Sequence, residues 1–143
     1  MTGNQVPPGK FVALLVEDNR ADVLLVQEAI ALYELPLVLH VLDDGEKAFE
    51  FIERVDAGLG TCPRVLLLDL NLPKRTGQEV LQRIRQSPMC KDIPVLIITS
   101  SNSLKDRNEV AALGASGYFS KPPDYQEFLK VGGAVKRLIE QHT

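Results

Sequence analysis

The sequence predicts an α/β fold in which helices cover both faces of a parallel sheet. Short apolar runs at residues 11–16, 65–68 and 95–98 have the length of strands that are buried on both sides. Apolar residues at helical spacing follow each run after a polar turn. The chain has 143 residues, of which 45% are hydrophobic and 24% charged, and this suits one domain with a full core.

Strands and helices alternate five times along the chain. The run from Val65 to Leu68 could also be a piece of buried helix, but Pro63 and Pro73 limit it to the length of a strand. The predicted strands cover residues 11–16, 37–42, 65–68, 95–98 and 117–120. The first helix is expected from about Asp22, the fourth to end near Gly114, and the last to carry Tyr125, Phe128, Val131, Val135 and Leu138 on one face.

Strict alternation with short connections predicts right-handed crossovers between parallel strands. Among doubly wound folds of this size, the natural arrangement is a flavodoxin-like (βα)5 fold with a five-stranded parallel sheet in the order 2-1-3-4-5. This order places the first and third strands side by side. Because open α/β sheets bind ligands beyond the carboxyl ends of their strands, we expect the chemistry at that edge.

The composition narrows the partners and the location. The formal net charge of -3 gives no basic surface for a phosphate backbone, so we expect no direct binding of nucleic acid. No apolar stretch is long enough to cross a membrane, and residues 1–10 lack the core of a secretory signal. We therefore expect a cytoplasmic protein whose glycine- and proline-containing residues 1–9 form a flexible leader.

Two residue pairs carry no recognisable motif. Cys62 and Cys90 stand in separate proline-flanked loops, and we expect them to be reduced, incidental thiols. Gly132 and Gly133 interrupt the last predicted helix, where each costs about 1 kcal/mol relative to alanine. They indicate either a tolerated weakness or a close approach by a partner backbone.

Two of the predicted strands end in carboxylates. Glu17 and Asp18 follow the first strand and Asp69 follows the third, so the expected topology brings the three together. Two carboxylates about 4 Å apart repel each other by about 4 kcal/mol at an effective dielectric constant of 20. A raised carboxyl pKa or a hard divalent cation such as Mg²⁺ would relieve this repulsion. The alternative is a solvated acidic rim.

Two further strand ends add complementary groups. Thr99 supplies a hydroxyl after the fourth strand, and Lys121 supplies an ammonium after the fifth. Each residue alone is more typical of a cap or of the surface. Together with a cation they would form a receptor for a phosphoryl group attached to Asp69. An aspartate that forms an acyl phosphate needs positioning and charge stabilisation, so the lack of a nearby histidine is no objection.

This set of residues resembles the receiver domain of two-component response regulators. The resemblance runs from about Phe11 to Gln141 and covers nearly the whole chain. Its motifs are Glu17-Asp18, Asp69-Leu70-Asn71-Leu72-Pro73 with Gly77, Pro94 to Thr99, and Lys121-Pro122. The resemblance implies that Asp69 is the phosphoacceptor and that a histidine kinase donates the phosphoryl group in a reaction that requires Mg²⁺.

The resemblance also implies a role for each neighbour of Asp69. The implied Mg²⁺ ligands are Glu17, Asp18, Asp69 and the backbone carbonyl of Asn71. Lys121 would pair with the phosphoryl group, and its bond to Pro122 would be cis. Thr99 would be the switch hydroxyl, and Tyr118 the aromatic side chain that turns inward when the threonine moves.

Phosphorylation would then shift a pre-existing equilibrium between two conformations through Thr99 and Tyr118. The change would reach the face built by the fourth helix, the fifth strand and the fifth helix. The wording Val-Glu-Asp-Asn near the start and Asp-Leu-Asn-Leu-Pro-Lys at the acceptor is similar to that of small response regulators that accompany bacterial and cyanobacterial phytochromes. Such regulators are often single receivers and often dimeric. We therefore expect a single receiver domain over residues 1–143 without an output domain, a phytochrome-type kinase, a downstream protein partner, and a homodimer through that face.

Three other functions fit parts of the pattern. A Mg²⁺-dependent phosphohydrolase would want a second acid where Asn71 stands, and also a substrate cap. A scaffold that has lost phosphorylation would not need Asp69, Thr99 and Lys121 together. A flavodoxin would want Gly, Ser and Thr after the first strand, where this chain is acidic. We therefore expect a signalling switch and not an enzyme.

Overall fold

The computed structural model describes residues 6–142 and contains one sheet of five parallel strands in the order β2-β1-β3-β4-β5. The strands are β1 (Phe11–Val16), β2 (Leu37–Leu42), β3 (Val65–Leu68), β4 (Val95–Thr99) and β5 (Gly117–Ser120). The helices are α1 (Arg20–Leu32), α2 (Gly45–Asp56), α3 (Gly77–Arg85), α4 (Leu104–Ala112), α5 (Tyr125–Phe128) and α6 (Val131–Gln141). The predicted fold class and strand order are confirmed.

Alternate residues of the central strands point into two separate cores. On one face of the sheet, Leu15, Leu67 and Ile98 pack with the apolar residues of α1, α5 and α6. On the other face, neighbours such as Leu14 and Leu66 pack with α2, α3 and α4. Burial of each leucine contributes about 2 kcal/mol, so the two cores fix the strands and thereby the positions of the strand ends.

The last predicted helix is divided in two. α5 ends at Phe128 and α6 begins at Val131. The junction has the tighter hydrogen bonding of a 3₁₀ turn. The backbone N–H groups of Gly132 and Gly133, in the first turn of α6, bond to the carbonyls three residues back, at 3.1 and 3.0 Å. The prediction of one continuous helix is therefore wrong at this turn.

The glycine pair has two different surroundings. A Cβ on Gly132 would collide with the ring of Tyr33 and lie 2.9 Å from the carbonyl oxygen of Ala29, so this glycine lets α6 lie against α1. A Cβ on Gly133 would make only an ordinary contact, 3.5 Å from the Tyr33 ring. The close approach is made by α1 of the same chain, whereas a partner backbone was the predicted alternative.

Cys62 and Cys90 form a disulfide, with their Cα atoms 5.6 Å apart. The prediction of two reduced thiols is wrong, because it treated their loops as separate. β3 and β4 are paired neighbours, so the loops that lead into them meet at the amino end of the sheet.

The start of the chain is described only in part. Of the flexible leader predicted over residues 1–9, residues 1–5 lie outside the described residues. Residues 7–10 form a turn that is closed by a hydrogen bond from the N–H of Lys10 to the carbonyl of Pro7, at 3.1 Å. Between residues 6 and 142, no helix has the length and hydropathy that crossing a bilayer would require.

Candidate functional site

The carboxyl ends of β1 and β3 bring three carboxylates together. Val16 pairs with Leu68, so Glu17 and Asp69 leave neighbouring strands at the same level. One ligand oxygen from each of Glu17, Asp18 and Asp69 lies within 4.8 Å of the other two. Glu17 and Asp69 are buried, whereas Asp18 is exposed. The donor set contains only carboxylate oxygens, which suits a hard divalent cation.

Lys121 closes this cluster from the end of β5. Its Nζ donates to Glu17 Oε1 at 2.7 Å, to Asp22 Oδ2 at 2.8 Å and to Asp69 Oδ2 at 3.1 Å. The lysine side chain is only 7% exposed. Because an ammonium has three donors, these three acceptors satisfy it completely.

The crowding changes the pKa of two groups. Burial raises the pKa of Glu17 to about 7; repulsion from Asp69 adds to the rise, and the hydrogen bond from Lys121 opposes it. Burial by itself would lower the pKa of Lys121, but hydrogen bonds to Asp22 and Glu17, together with the nearby charges of Asp69 and Glu17, raise that pKa above its ordinary value. The ammonium therefore stays charged, while the acidic cluster retains an excess of negative charge that a cation could balance.

The backbone orients the Asp69 carboxylate. Its Oδ1 accepts hydrogen bonds from the N–H groups of Leu70, at 2.7 Å, and Asn71, at 3.4 Å. Gly77, the first residue of α3, donates to the carbonyl of Leu70 at 2.9 Å. A Cβ on Gly77 would collide with the carbonyl oxygen of Asp69, so only glycine lets α3 start this close to the acid. The metal-ligand role of the Asn71 carbonyl stays a prediction.

Thr99 and Tyr118 meet through the loop after β4. Thr99 is fully buried, and its Oγ1 accepts a hydrogen bond from the N–H of Ser101 at 3.3 Å. The carbonyl of Ser101 accepts one from the Tyr118 hydroxyl at 3.0 Å. The guanidinium of Arg107, on α4, lies 4.3 Å from the centre of the Tyr118 ring. The two predicted switch residues are thus joined through Ser101, and their switching role stays a prediction.

The backbone around Lys121 differs from the prediction in one respect. No peptide bond within residues 6–142 is cis, so the Lys121–Pro122 bond is trans and the predicted cis bond is wrong. The preference for trans before proline is only about 0.5–1 kcal/mol, so sequence alone is a weak guide to this choice. With this bond trans, the lysine side chain still reaches the carboxylates of Glu17, Asp22 and Asp69.

Asp22 is the site residue that the sequence analysis missed. It was assigned only to the start of the first helix, which in fact begins at Arg20. The signal was present, since Asp22 follows Asp18 by about one helical turn and stands in the first turn of a helix whose start lies beside the acidic cluster. Asn19 caps this helix, accepting a hydrogen bond from the N–H of Asp22 at 3.1 Å.

Comparison with protein families gives one match over most of the chain. The family model described as the response regulator receiver domain matches residues 13–131. The chain is 36% identical over 132 residues to response regulator Rcp1 of Synechocystis sp., covering 92% of this chain and 88% of Rcp1. It is 33% identical over 131 residues to the probable methanogenesis regulatory protein FilR2 of Methanothrix harundinacea, covering 92% of this chain and 80% of FilR2.

Comparison with solved structures gives the same family. The phosphorylated cyanobacterial phytochrome response regulator RcpA matches with a TM-score of 0.83 at 30% identity, over 94% of this chain and 96% of RcpA. The Mn²⁺-bound form of Rcp1 matches with a TM-score of 0.79 at 35% identity, over 88% of this chain and 91% of that structure.

Proposed function

Because this chain belongs to the response regulator receiver domain family and is a phosphoacceptor of two-component signalling, we propose that Asp69 is the side chain that takes the phosphoryl group. The donor is a phosphohistidine of a sensor histidine kinase. One observation carries the proposal. The Asp69 carboxylate lies 3.1 Å from the Lys121 ammonium, and its oxygen is within 4.8 Å of those of Glu17 and Asp18.

The transfer forms one bond and breaks another. A carboxylate oxygen of Asp69 attacks phosphorus, the P–N bond of the phosphohistidine breaks with its electron pair left on nitrogen, and an acyl phosphate results. The N–H groups of Leu70 and Asn71 hold Oδ1 and so orient the nucleophile. Lys121 stands beside Oδ2, where its charge balances the negative oxygens of the incoming phosphoryl group.

The proposed cation is Mg²⁺, held by the residues around Asp69. The ligands are Glu17, Asp18, Asp69 and the backbone carbonyl of Asn71. Oxygen-only donors and few protein carboxylates suit Mg²⁺, which usually keeps several waters. When bound, it would supply positive charge to the phosphoryl oxygens during transfer. The Mn²⁺-bound form of the similar Rcp1 supports a divalent cation in this family.

The proposed output is a change of surface, so the chain acts as a switch and not as an enzyme on other substrates. Thr99 would move toward the phosphoryl oxygens, and the loop through Ser101 would carry that movement to Tyr118. A population change from mostly off to mostly on needs about 5.5 kcal/mol of differential stabilisation. New charge-assisted contacts to the phosphoryl group are strong enough to contribute much of this. The face affected is formed by α4, β5 and the α5–α6 segment.

The proposed partners follow from the relatives. RcpA is described as a phytochrome response regulator, which supports a phytochrome-type kinase as donor for this chain. The proposal includes a cytoplasmic location, a downstream protein that binds the switched face, and a homodimer through the same face. Leu104 of α4, which is 71% exposed, supplies apolar surface on one of these elements.

A mass measurement tests the phosphoacceptor directly. The protein is incubated with acetyl phosphate, with and without Mg²⁺, and the intact mass is compared with that of Asp69→Asn. We expect a gain of one phosphoryl group that needs Mg²⁺ and is absent from the variant. Asp92→Asn, an exposed acid in the loop that leads into β4, is the matched control and should be labelled like the unmodified protein.

Different results would point elsewhere. Equal labelling of Asp69→Asn would contradict the assignment of the acceptor. Turnover of a generic phosphomonoester would favour a phosphohydrolase. Elution from a sizing column before and after labelling tests the homodimer, which should form or tighten when Asp69 is phosphorylated.

A further inference from the structure

We infer that Asp22 is a positioning residue whose carboxylate keeps the Lys121 ammonium beside Asp69 when a divalent cation engages the other acids. The inference rests on the proposed function and extends it to a residue outside the metal-ligand set. Asp22 bonds to Lys121 Nζ at 2.8 Å, as closely as the predicted ligand Glu17 does at 2.7 Å.

The three partners of Lys121 are not equivalent. Glu17 and Asp69 belong to the trio of carboxylates that could hold a cation, and Asp22 does not. A cation held by that trio would share Glu17 and Asp69 with the ammonium, and two positive groups on the same carboxylates repel each other. Asp22 is therefore the one partner of the three for which no metal ligand role competes.

Asp22 also stands on a fixed support. It lies in the first turn of α1, where the Asn19 side chain accepts its N–H at 3.1 Å. In the next turns of the helix, the side chains of Val26 and Ala29 are buried in the core and hold α1 against the sheet. Its side chain is 19% exposed, so water competes little for the carboxylate. A carboxylate on such a support stays at one distance from the strand ends.

The lysine needs such a support because its side chain is long. The backbone N–H of Lys121 bonds to the carbonyl of Thr99 at 2.7 Å, which fixes the root of the side chain and leaves its four-carbon stem to be ordered. Without Asp22, an ammonium displaced by the cation would have no fixed acceptor. It would then spend less time where the phosphoryl oxygens arrive.

Kinetics can separate positioning from metal affinity. The rate of labelling by acetyl phosphate is measured against Mg²⁺ concentration for the unmodified chain, Asp22→Asn and Asp22→Glu. We expect the maximal rate at saturating Mg²⁺ to fall about tenfold in Asp22→Asn, as for the loss of one charge-assisted hydrogen bond, and to recover partly in Asp22→Glu. A mere loss of metal affinity would be overcome by more Mg²⁺ and would leave the maximal rate unchanged.

Glu127→Gln is the matched control. Glu127 also stands in the first turn of a helix, three residues after a capping aspartate, and it pairs with Lys130 at 2.9 Å. That pair is exposed, so the variant removes a similar charge without touching Lys121. Its maximal rate should match that of the unmodified chain.

A second readout does not depend on phosphorylation. NMR of protein with ¹⁵N-labelled lysine side chains follows the Lys121 ammonium, assigned as the signal missing from Lys121→Arg. We expect the slowly exchanging signal to persist when Mg²⁺ is added to the unmodified chain, and to be lost on the same addition to Asp22→Asn. An unchanged signal and an unchanged maximal rate in Asp22→Asn would overturn the inference.

The two proposals fail in distinguishable ways. If the unmodified chain takes no phosphoryl group, the proposed function fails, while the ammonium signal still tests the anchoring by Asp22. If Asp22→Asn is too unstable to study, Asp22→Glu keeps the charge and displaces the carboxylate by one methylene. A broadened ammonium signal in that variant supports the inference, and an unaltered signal contradicts it.

Discussion

At the carboxyl end of the sheet several carboxylates share one ammonium, whereas at the amino end several donors share one carboxylate. Asp56, at the end of α2, accepts hydrogen bonds from Ser87 Oγ at 2.6 Å, Arg83 Nη2 at 2.9 Å and the N–H of Met89 at 3.3 Å. The bond from Ser87 does most to hold the pKa of Asp56 below its ordinary value. Burial at the opposite end raises the pKa of Glu17 to about 7.

The amino end is also closed covalently. The Cys62–Cys90 disulfide joins the loops before β3 and β4, and the N–H of Cys90 bonds to Ser87 Oγ at 3.0 Å. This end therefore stabilises the fold with interactions that are already satisfied. The carboxyl end leaves excess negative charge that a cation can balance, and such imbalance is typical of functional sites.

Removal of the shared ammonium should have the largest effect. We expect Lys121→Met to lower the free energy of unfolding by about 4 kcal/mol in metal-free buffer at neutral pH, because buried carboxylates lose their counter-ion. Urea unfolding followed by circular dichroism measures the loss. Lys47→Met removes an exposed ammonium that pairs with Asp43 at 2.7 Å, and should change stability little. Equal losses of stability in the two variants would contradict the claim that the buried carboxylates depend on Lys121 as their counter-ion.

Reduction of the Cys62–Cys90 disulfide should have the next largest effect. The bond joins residues 28 apart, so its loss should lower the free energy of unfolding by about 3.5 kcal/mol in the chain-entropy account. Urea unfolding with and without a reductant tests this, with the double variant Cys62→Ser, Cys90→Ser as the insensitive control. Labelling of Asp69 should be unchanged by reduction. A large change in labelling would mean that the two ends are coupled.

The contributions of the two ends to the free energy of unfolding should change with pH in opposite directions. The pKa of Glu17 is raised from 4.5 to about 7 in the folded state, so its destabilising charge develops as pH rises through that window. At about 1.4 kcal/mol per pKa unit, this charge lowers the free energy of unfolding by at most about 3.5 kcal/mol in metal-free buffer. For Asp56 the lowered pKa means that its contribution is present above the ordinary value of 3.8 and is lost as pH falls.

Urea midpoints measured from pH 3 to pH 8 compare the two signs. Glu17→Gln should remove the decline between about pH 4.5 and pH 7, and Asp56→Asn should remove part of the decline on the acid side. An identical pH profile in Glu17→Gln and the unmodified chain would contradict the burial of a charged Glu17.

The adjacent glycines of α6 should give the smallest and most discriminating effects. We expect Gly132→Ala to cost about 2 kcal/mol, because its Cβ would collide with Tyr33 and press on the carbonyl of Ala29. Gly133→Ala should instead stabilise the protein by about 0.8 kcal/mol, because the helix gains propensity and the new contact is ordinary. Thermal unfolding of both variants tests the difference, and the same sign for both would refute this account of α6.

Most of the fold could be predicted because its central strands are runs of apolar residues. β3 is wholly buried, so its sequence Val-Leu-Leu-Leu has no alternation to interpret, and the flanking prolines set its length. The positions of helix ends were harder to predict from the sequence. The break between α5 and α6 depends on how closely Gly132 lies against Tyr33, which is a tertiary contact between distant parts of the chain.

The candidate site was predictable to the extent that its residues follow strands. Glu17, Asp69 and Lys121 stand directly after β1, β3 and β5, so the topology alone brings them to one edge. Asp22 was missed because its part depends on the direction of a side chain in the first turn of a helix. The Cys62–Cys90 bond was missed because it depends on how two loops meet.

The hydrogen bond from the N–H of Lys121 to the carbonyl of Thr99, at 2.7 Å, has a consequence for how a signal leaves the site. It joins the carboxyl ends of β4 and β5 at the two residues, Thr99 and Lys121, whose side chains are proposed to contact the phosphoryl group. A displacement of the Thr99 backbone would therefore also displace the backbone of Lys121, and the proposed switch would move the two strand ends together. Movement of one strand end alone would require this backbone hydrogen bond to break, at a cost of about 1 kcal/mol.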